Sequence, residues 1–455
     1  MKTFDAIIIG AGQAGPPLAG RLTGAGMTVA FIERKLFGGT CVNTGCMPTK
    51  TLVASAYAAH LARRGGDYGV VVNGAIGIDM KRVSARAAAV SANSRNSVEQ
   101  WLRGMHGCTV LQDHARFESS TTVRVGDEVL SAPRVFINVG GRAIVPDMPG
   151  VDRVPFLTNT GMVALDRVPR HLLVVGGSYI GLEFAQMYRR FGAEVTVVEK
   201  SPRLVSREDE DVSDAIRDIL TAEGIHVRTN AECIALAPHE QGIAISVDCT
   251  DGDPIAIGSD LLLAVGRRPN TDDLGLERAG VKTDARGYIT VDDGLATNVS
   301  GIWAMGDCNG RGAFTHTSYN DYEIIAANLL DGESRKVSDR VAAYALYVDP
   351  PLGRVGMTES QARASGKTVV TSKRPMTRVG RAIEKDETHG FMKIVIDANS
   401  RRILGAAILG TGGDEAIHGV IDIMNAGATA DALRWAVPIH PTVSELLPTL
   451  ILDAK

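Results

Sequence analysis

Cys41 and Cys46, in Gly38-Gly-Thr-Cys-Val-Asn-Thr-Gly-Cys-Met-Pro-Thr-Lys50, are the residues whose types and spacing could do chemistry. Pro48 suits a first helical turn, and the apolar period that follows predicts a helix over 51–62, so both thiols stand at or near a helix N-terminus. There the macrodipole and unpaired amides favour negative charge, which lowers a thiol pKa and makes thiolate available at neutral pH. A dithiol so placed can cycle against its disulfide. Zinc is the competing chemistry, but a structural site needs four ligands. Cys108, Cys233, Cys249 and Cys308 offer no second Cys/His pair at suitable spacing and read as inert packed thiols.

The elements around this pair come in two matching units. Ala6-Ile-Ile-Ile-Gly10-Ala-Gly12-Gln-Ala-Gly15 is a short β-branched run, a G-x-G-x-x-G turn and the start of an apolar-periodic helix; Val29-Ala-Phe-Ile-Glu33 is a second strand ending in an acid. The pattern recurs in His171-Leu-Leu-Val-Val-Gly176-Gly-Ser-Tyr-Ile-Gly181 and Val195-Thr-Val-Val-Glu199, with the same 23-residue offset from first glycine to acid. One such turn is a weak signal; two at one offset predict two dinucleotide sites. Ser178 stands where the middle glycine of the second turn belongs, and so predicts a reshaped approach of backbone to pyrophosphate.

Between the units the pattern predicts a helix over 83–102 and strands over 122–129 and 134–139, with Pro146, Pro149 and Pro155 marking a boundary. Beyond Gly266-Arg-Arg-Pro-Asn270, a strand ends in Met305-Gly-Asp307. After about 336 the texture changes to strands over 391–396 and 403–409 and a helix over 415–426. The fold class expected is α/β, two Rossmann-like dinucleotide-binding domains plus a C-terminal α+β domain. The acidic run Glu208-Asp-Glu-Asp211 reads as a solvated face and Met424 as core filling.

Composition narrows the function classes. In 455 residues, 48 Lys+Arg against 52 Asp+Glu leave a formal charge of −4, without the basic surplus of a nucleic-acid binder. Hydrophobic residues at 45% and charged at 22% describe a folded globular chain, and 50 glycines fit many tight turns or close backbone approaches. The first apolar run is too short for a signal peptide or a membrane span, and six cysteines are too few for a secreted disulfide scaffold, so a cytoplasmic protein without a membrane partner is expected.

Gly-Gly-Thr-Cys41-x4-Cys46-x-Pro-Thr-Lys50, Gly181-Leu-Glu183, Ala304-Met-Gly-Asp307 and His440-Pro-Thr-Val-Ser-Glu445 resemble, in order and through essentially the whole chain, the FAD-dependent pyridine nucleotide-disulfide oxidoreductases. The resemblance implies FAD over 1–148 and 266–335, NAD(P) over 149–265, and a dimerisation domain over 336–455. It implies FAD contacts from Gly10, Gly12, Gly15, Gly39, Thr40, Lys50, Gly140, from Glu33 on the adenosine ribose, Ala115 on adenine and Asp307 on the ribityl chain. Ala313-Phe314-Thr315-His316 resembles the helix start facing the flavin pyrimidine. Gly176, Gly177, Ser178, Tyr179, Ile180, Gly181, Glu183, Glu199 and Gly266 would hold the nicotinamide nucleotide. A carboxylate at Glu199 accepts from a free 2′-hydroxyl but repels a 2′-phosphate, favouring NADH over NADPH despite Lys200 and Arg203 nearby.

In the reaction so implied, electrons pass from the nicotinamide through the flavin to a Cys41–Cys46 disulfide, with Cys46 on the flavin side and Cys41 the exchange thiol. Lys50 and Glu183 resemble the pair beside the flavin ring. His440 and Glu445 resemble the acid-base pair that reaches the disulfide of the other subunit, so a homodimer is implied. Trp303-Ala-Met-Gly-Asp, Thr317-Ser-Tyr-Asn-Asp-Tyr-Glu323 and Asp349-Pro-Pro-Leu-Gly-Arg-Val-Gly-Met-Thr-Glu359 resemble the reactive-chlorine-resistance branch, described as copper(II) reductases. That branch and the mercuric reductases imply a metal-ion or thiol/disulfide acceptor in metal or oxidative stress. The ending Leu450-Ile-Leu-Asp-Ala-Lys455 lacks the C-terminal cysteine pair of the usual mercuric reductase, so dedicated mercury detoxification is not expected. Dihydrolipoamide dehydrogenase is the alternative. A non-catalytic redox sensor is a further one, distinguished by its passing electrons to no added acceptor.

Overall fold

The structure, a computed structural model, describes residues 1–248 and 254–455. The β-branched strand Ala6–Ile9 is buried along its whole length and pairs in parallel with Val29–Ile32 on one side and Val135–Ile137 on the other. Strands covered on both faces must be apolar throughout, which is why these segments show runs rather than alternation. The sheet continues outward to Cys108–Leu111 and Ile302–Ala304, giving the order Ile302–Ala304, Val135–Ile137, Ala6–Ile9, Val29–Ile32, Cys108–Leu111. A second parallel sheet repeats this plan as Asp260–Leu263, His171–Val175, Glu194–Val198, His226–Arg228. In each unit a glycine turn leads from the central strand into a helix, Gly15–Gly24 in the first and Tyr179–Phe191 in the second. Ligands of such sheets bind beyond the strands' carboxyl ends, where these turns lie.

The C-terminal part carries a five-stranded antiparallel sheet ordered Ala343–Leu346, Leu352–Gly356, Ile403–Leu409, Phe391–Asp397, Val369–Pro375. One hydrophobic cluster joins Leu52 and Ala56 of the dithiol helix to Leu182 and Phe184 of the second unit and to Leu346, Leu352 and Leu409 of this sheet. Burying each such leucine stabilises the fold by roughly 1.5–3 kcal/mol, so the thiols ride on a helix clamped from both sides.

Three sequence expectations need correction. The strand over 122–129 is a hairpin, Thr122–Val125 and Glu128–Ser131, because Gly126 takes a positive φ of 56° and turns the chain. The helix over 415–426 divides into Gly413–Ala416 and His418–Asn425 around buried Ile417, where the chain presses on Gly353; a Cβ there would lie 2.2 Å from the Gly413 oxygen.

The acidic run is not a solvated face. Glu208 and Asp209 are buried, Glu208 against Arg354 at 3.2 Å and Asp209 against Lys393 at 3.2 Å, with Glu359 and Asp211 also on that lysine. Burial alone would push Asp209 up, but the Ser360 and Glu359 amides, the Ser360 hydroxyl and Lys393 bring it down to about 2. The covering cations come from the C-terminal sheet, some 150 to 185 residues away, so local sequence carries no sign of them. Met424 does pack on the C-terminal core.

Candidate active site

The dithiol helix begins at Cys46 itself and runs to Arg63, while Cys41 lies in the preceding short helix Gly39–Thr44. Gly45 makes the reversal between them. A Cβ there would sit 2.9 Å from the Thr40 oxygen, so only glycine lets the two turns close up. Cys46 is open to a cleft and Cys41 is half-buried.

A hydrogen bond shared by the thiols is the largest influence on both. It raises Cys41 far above the ordinary thiol range and lowers Cys46 to about 6, with the Thr315 hydroxyl, 3.3 Å from the Cys46 sulfur, and the Lys50 charge helping against desolvation. At neutral pH the reduced pair therefore holds one thiolate, on Cys46, with Cys41 donating to it.

Lys50 stands one helical turn beyond Cys46, on the same face. Its Nζ lies 2.6 Å from Oε2 of buried Glu183, in the second unit's helix, and 4.5 Å from the Tyr347 ring centroid. The other Glu183 oxygen accepts from the Tyr347 amide at 3.0 Å. Dithiol helix, second unit and C-terminal sheet thus meet on one buried carboxylate, whose charge is paired by the ammonium.

The cleft that Cys46 opens into belongs to the first unit. It encloses about 980 Å³ out to its open mouth, and its lining runs from Glu33, His114 and Ala115 past Gly10, Gly12, Gly39, Thr40 and Gly140 to Asp307, Ala313, Phe314, Thr315 and both cysteines. Gly10 needs its φ of 103°, and a Cβ on Gly39 would fall 2.9 Å from the Gly12 Cα. Backbone is thereby bared along the floor. Glu33 closes one end, accepting from the Ala11 and Lys35 amides at 2.8 Å each. Burial raises Asp307, partly offset by Arg267, whose Nε is 3.7 Å away.

In the second unit Glu199 makes the same two bonds, from the Gly177 amide at 2.5 Å and the Ser201 amide at 2.7 Å. Gly176 again has positive φ, 114°, and Gly181 packs on the Gly176 carbonyl as Gly15 does on that of Gly10. Ser178 is exposed, its side chain capping nothing.

Comparison with known proteins now decides the family. The model of the pyridine nucleotide-disulphide oxidoreductases matches residues 4–321, and that of their dimerisation domain matches 342–451. The chain belongs to this family. Similar members include the probable pyridine nucleotide-disulfide oxidoreductase RclA of Escherichia coli, 36% identical with 99% of each chain covered. Mercuric reductase of Bacillus cereus is 32% identical over 99% of this chain and 71% of its own, and dihydrolipoyl dehydrogenase of Thermus scotoductus 32% over 98% and 96%. Among solved structures, the HOCl-induced flavoprotein disulfide reductase RclA of E. coli superposes with a TM-score of 0.90 at 36% identity, and its Cu(II) complex with 0.90 at 35%, each covering 99% of both chains.

As a member of the pyridine nucleotide-disulphide oxidoreductases the protein is a flavoprotein that uses FAD and a pyridine nucleotide. The first cleft fits FAD: it has dinucleotide size, bared backbone amides, an acid at one end and the dithiol at the other.

Of the residues expected at FAD, Gly15, Lys50 and His316 are not in the lining of this cleft; Tyr179 was expected at the nucleotide turn, and His440 and Glu445 at the disulfide of a second subunit. The His316 ring turns away, its Nε2 2.7 Å from the Ala343 oxygen. Tyr179 points toward Glu208. His440 and Glu445 lie outside the lining and pair with each other at 2.8 Å, the imidazole 80% exposed on the single chain. Cys108 and Cys308 are pushed up by burial to about 11 and about 12, which keeps them as thiols. Cys249 and the Cys233 side chain lie outside the described residues.

Sequence reasoning missed Asn138, Arg267 and Asp321. Asn138 is buried, accepts from the Gly15 amide at 3.1 Å and donates to the Met305 oxygen at 3.0 Å, joining the glycine turn to the Asp307 turn. Asp321 accepts from the Gly306 amide at 2.8 Å and from Asn309 at 2.9 Å, and is ion-paired to Arg340. A polar residue ending the apolar strand Val135–Ile137 was the one available signal for Asn138.

Proposed function

We propose that the protein passes electrons from NADH, by way of FAD, to a Cys41–Cys46 disulfide and, from the dithiol so formed, on to a metal ion, copper(II) being the acceptor class favoured over lipoamide. The carrying observation is the dithiol at the cleft's end, one thiolate held on Cys46 while Lys50 and Glu183 tie its helix to the second unit. When bound, FAD supplies the relay between the two-electron nicotinamide and the thiols. The chain's residues do the rest. Gly10, Gly12, Gly39, Thr40, Gly140 and Glu33 would hold one end of the cofactor, with Ala115 at the adenine end, and Asp307, Ala313, Phe314 and Thr315 the other. Gly176, Gly177, Ser178, Ile180, Gly181 and Gly266 shape the nucleotide turn, and Glu199 favours the free ribose of NADH, with Arg203 engaged by Glu210 at 3.1 Å.

Cys46 keeps the thiolate nearest the cofactor, and Cys41 retains the proton and serves as the exchange thiol. Soft thiolates suit copper and mercury ions alike, and the Cu(II) complex of the similar RclA favours copper. His440, oriented by Glu445, moves the proton of the exchange thiol of a second subunit. Exposed Trp435, Val437 and Ile439 leading up to it fit burial in a homodimer. No helix among the described residues is long and apolar enough to cross a membrane, and a dithiol kept reduced suits the cytoplasm.

The test is anaerobic steady-state kcat/KM with NADH for copper(II) and lipoamide side by side, with Cys41→Ser as control. Copper reduction lost in Cys41→Ser, with feeble lipoamide turnover, is the expected result. Fast lipoamide turnover would make the protein a dihydrolipoamide dehydrogenase.

A further inference from the structure

Glu208 is a buried carboxylate that the proposed chemistry leaves unused. Three groups meet it: the Tyr179 hydroxyl at 3.2 Å, the Tyr344 hydroxyl, and Arg354 Nε at 3.2 Å. Arg354 is buried too, and its Nη1 donates to the Val355 and Ala406 oxygens at 2.7 Å each. The carboxylate is therefore fixed to the backbone of the C-terminal sheet. A buried charge so completely bonded holds its partners' geometry closely.

The two phenols hold rings that bridge the dinucleotide units. Tyr179 is the third residue after Gly176 in the second glycine turn and meets Tyr344 edge to face, with centroids 5.6 Å apart. Tyr344 stacks on Phe314 at 5.6 Å, and Phe314 lines the first cleft. Burial and the Glu208 charge push both phenols up, Tyr344 to about 12, so each keeps its proton to donate.

We propose that Glu208 is a positioning residue for the pyridine nucleotide, fixing Tyr179 and Tyr344 as one aromatic wall from the second glycine turn to the FAD cleft. The proposal rests on the reading that the second unit takes the nucleotide. The adjacent cluster of Lys393 with Asp209, Asp211 and Glu359 already ties this segment to the C-terminal sheet without touching either ring. Hydroxyl bonds from two aromatic rings add little further attachment. They fix ring direction, and with it how closely two dinucleotides on either side can approach.

The experiment uses FAD-loaded protein and two readouts: the NAD⁺ dissociation constant by calorimetry, and the anaerobic rate of flavin bleaching at saturating NADH. Glu208→Gln is expected to weaken NAD⁺ binding and slow bleaching about tenfold each, a change of about 1.4 kcal/mol apiece. Tyr344→Phe and Tyr179→Phe, which keep the rings, should each give about threefold. The double variant Glu208→Gln/Tyr179→Phe should be no worse than Glu208→Gln, because the carboxylate acts through that hydroxyl. Asp211→Asn should lower the melting temperature and move neither readout.

Unchanged binding and bleaching in Glu208→Gln and Tyr344→Phe, even with a lower melting temperature, would reduce Glu208 to a domain tie. An additive double variant would overturn the proposal as well. Should wild-type flavin be bleached by neither NADH nor NADPH, the assignment of the second unit itself fails, and the two failures are told apart by the wild-type trace.

Discussion

The two glycine turns share a backbone plan and differ in what braces it. A Cβ on Gly10 would lie 2.4 Å from the Asn138 oxygen, and one on Gly176 lies 2.5 Å from the Ala264 oxygen, so Asn138 and Ala264 hold equivalent places at the ends of neighbouring strands. Both are followed by Val-Gly, in Val139-Gly140 and Val265-Gly266. The asparagine side chain satisfies the Gly15 amide and reaches across to Met305; alanine has nothing to reach with. The first turn is thus locked to the segment bearing Asp307, whereas the second is left open, with exposed Ser178 in place of its middle glycine. A locked turn suits a resident cofactor, and an open one suits a nucleotide that must enter and leave each cycle.

The largest effect expected from breaking this comparison is at the third glycines. A Cβ on Gly181 would lie 2.0 Å from the Gly176 oxygen and one on Gly15 2.5 Å from that of Gly10. Gly181→Ala should weaken NAD⁺ binding by a hundredfold or more, about 2.7 kcal/mol, with FAD retained. Gly15→Ala should lose FAD instead; calorimetry and the absorbance of the purified proteins separate the two.

Asn138→Ala makes the first turn resemble the second. It orphans a buried amide, at a cost of about 1–3 kcal/mol. FAD should bind about tenfold or more weakly in a fluorescence titration of apoprotein, while NAD⁺ affinity stays put. Equal losses of both ligands would mean that the brace serves the whole fold rather than one turn.

The thiols sharpen the contrast, because only the first cleft carries them. Cys46 lowered to about 6 is thiolate above that pH and thiol below it. Alkylation of the reduced protein at Cys46 should therefore fall about tenfold from pH 7 to pH 5. A rate still falling steeply between pH 9 and pH 7 would show that the Cys41 hydrogen bond, Thr315 and Lys50 do not hold the thiolate. The smallest effect belongs to Ser178→Gly, which restores the first turn's pattern and should tighten NAD⁺ two- to threefold by calorimetry; weaker binding would assign the serine a contact of its own.

Much of the site was legible because it is built from neighbours in sequence. Gly38 to Lys50 and the two strand-turn-helix-acid units carry their own spacing, and the buried strands advertise themselves as apolar runs. What could not be read arises from residues far apart. Glu208 looks solvated until Arg354 covers it, and Asn138 is unremarked until the Gly15 amide needs an acceptor. The segments 317–323 and 349–359, singled out only by resemblance, gain a physical role here. Asp321 braces the turn before Asp307, Asp349 pairs with Arg190 at 2.7 Å, Arg354 holds Glu208, and Glu359 meets Lys393.

The sequence by itself determined the two dinucleotide units, the dithiol between them and the family, because strand period, turn glycines and helix starts are local and each residue meets its constraint within a few positions. Tertiary structure alone decided which turn is locked and which carboxylates are buried. Those outcomes depend on desolvation and on partner charges brought from a hundred or more residues away, and no local pattern records them.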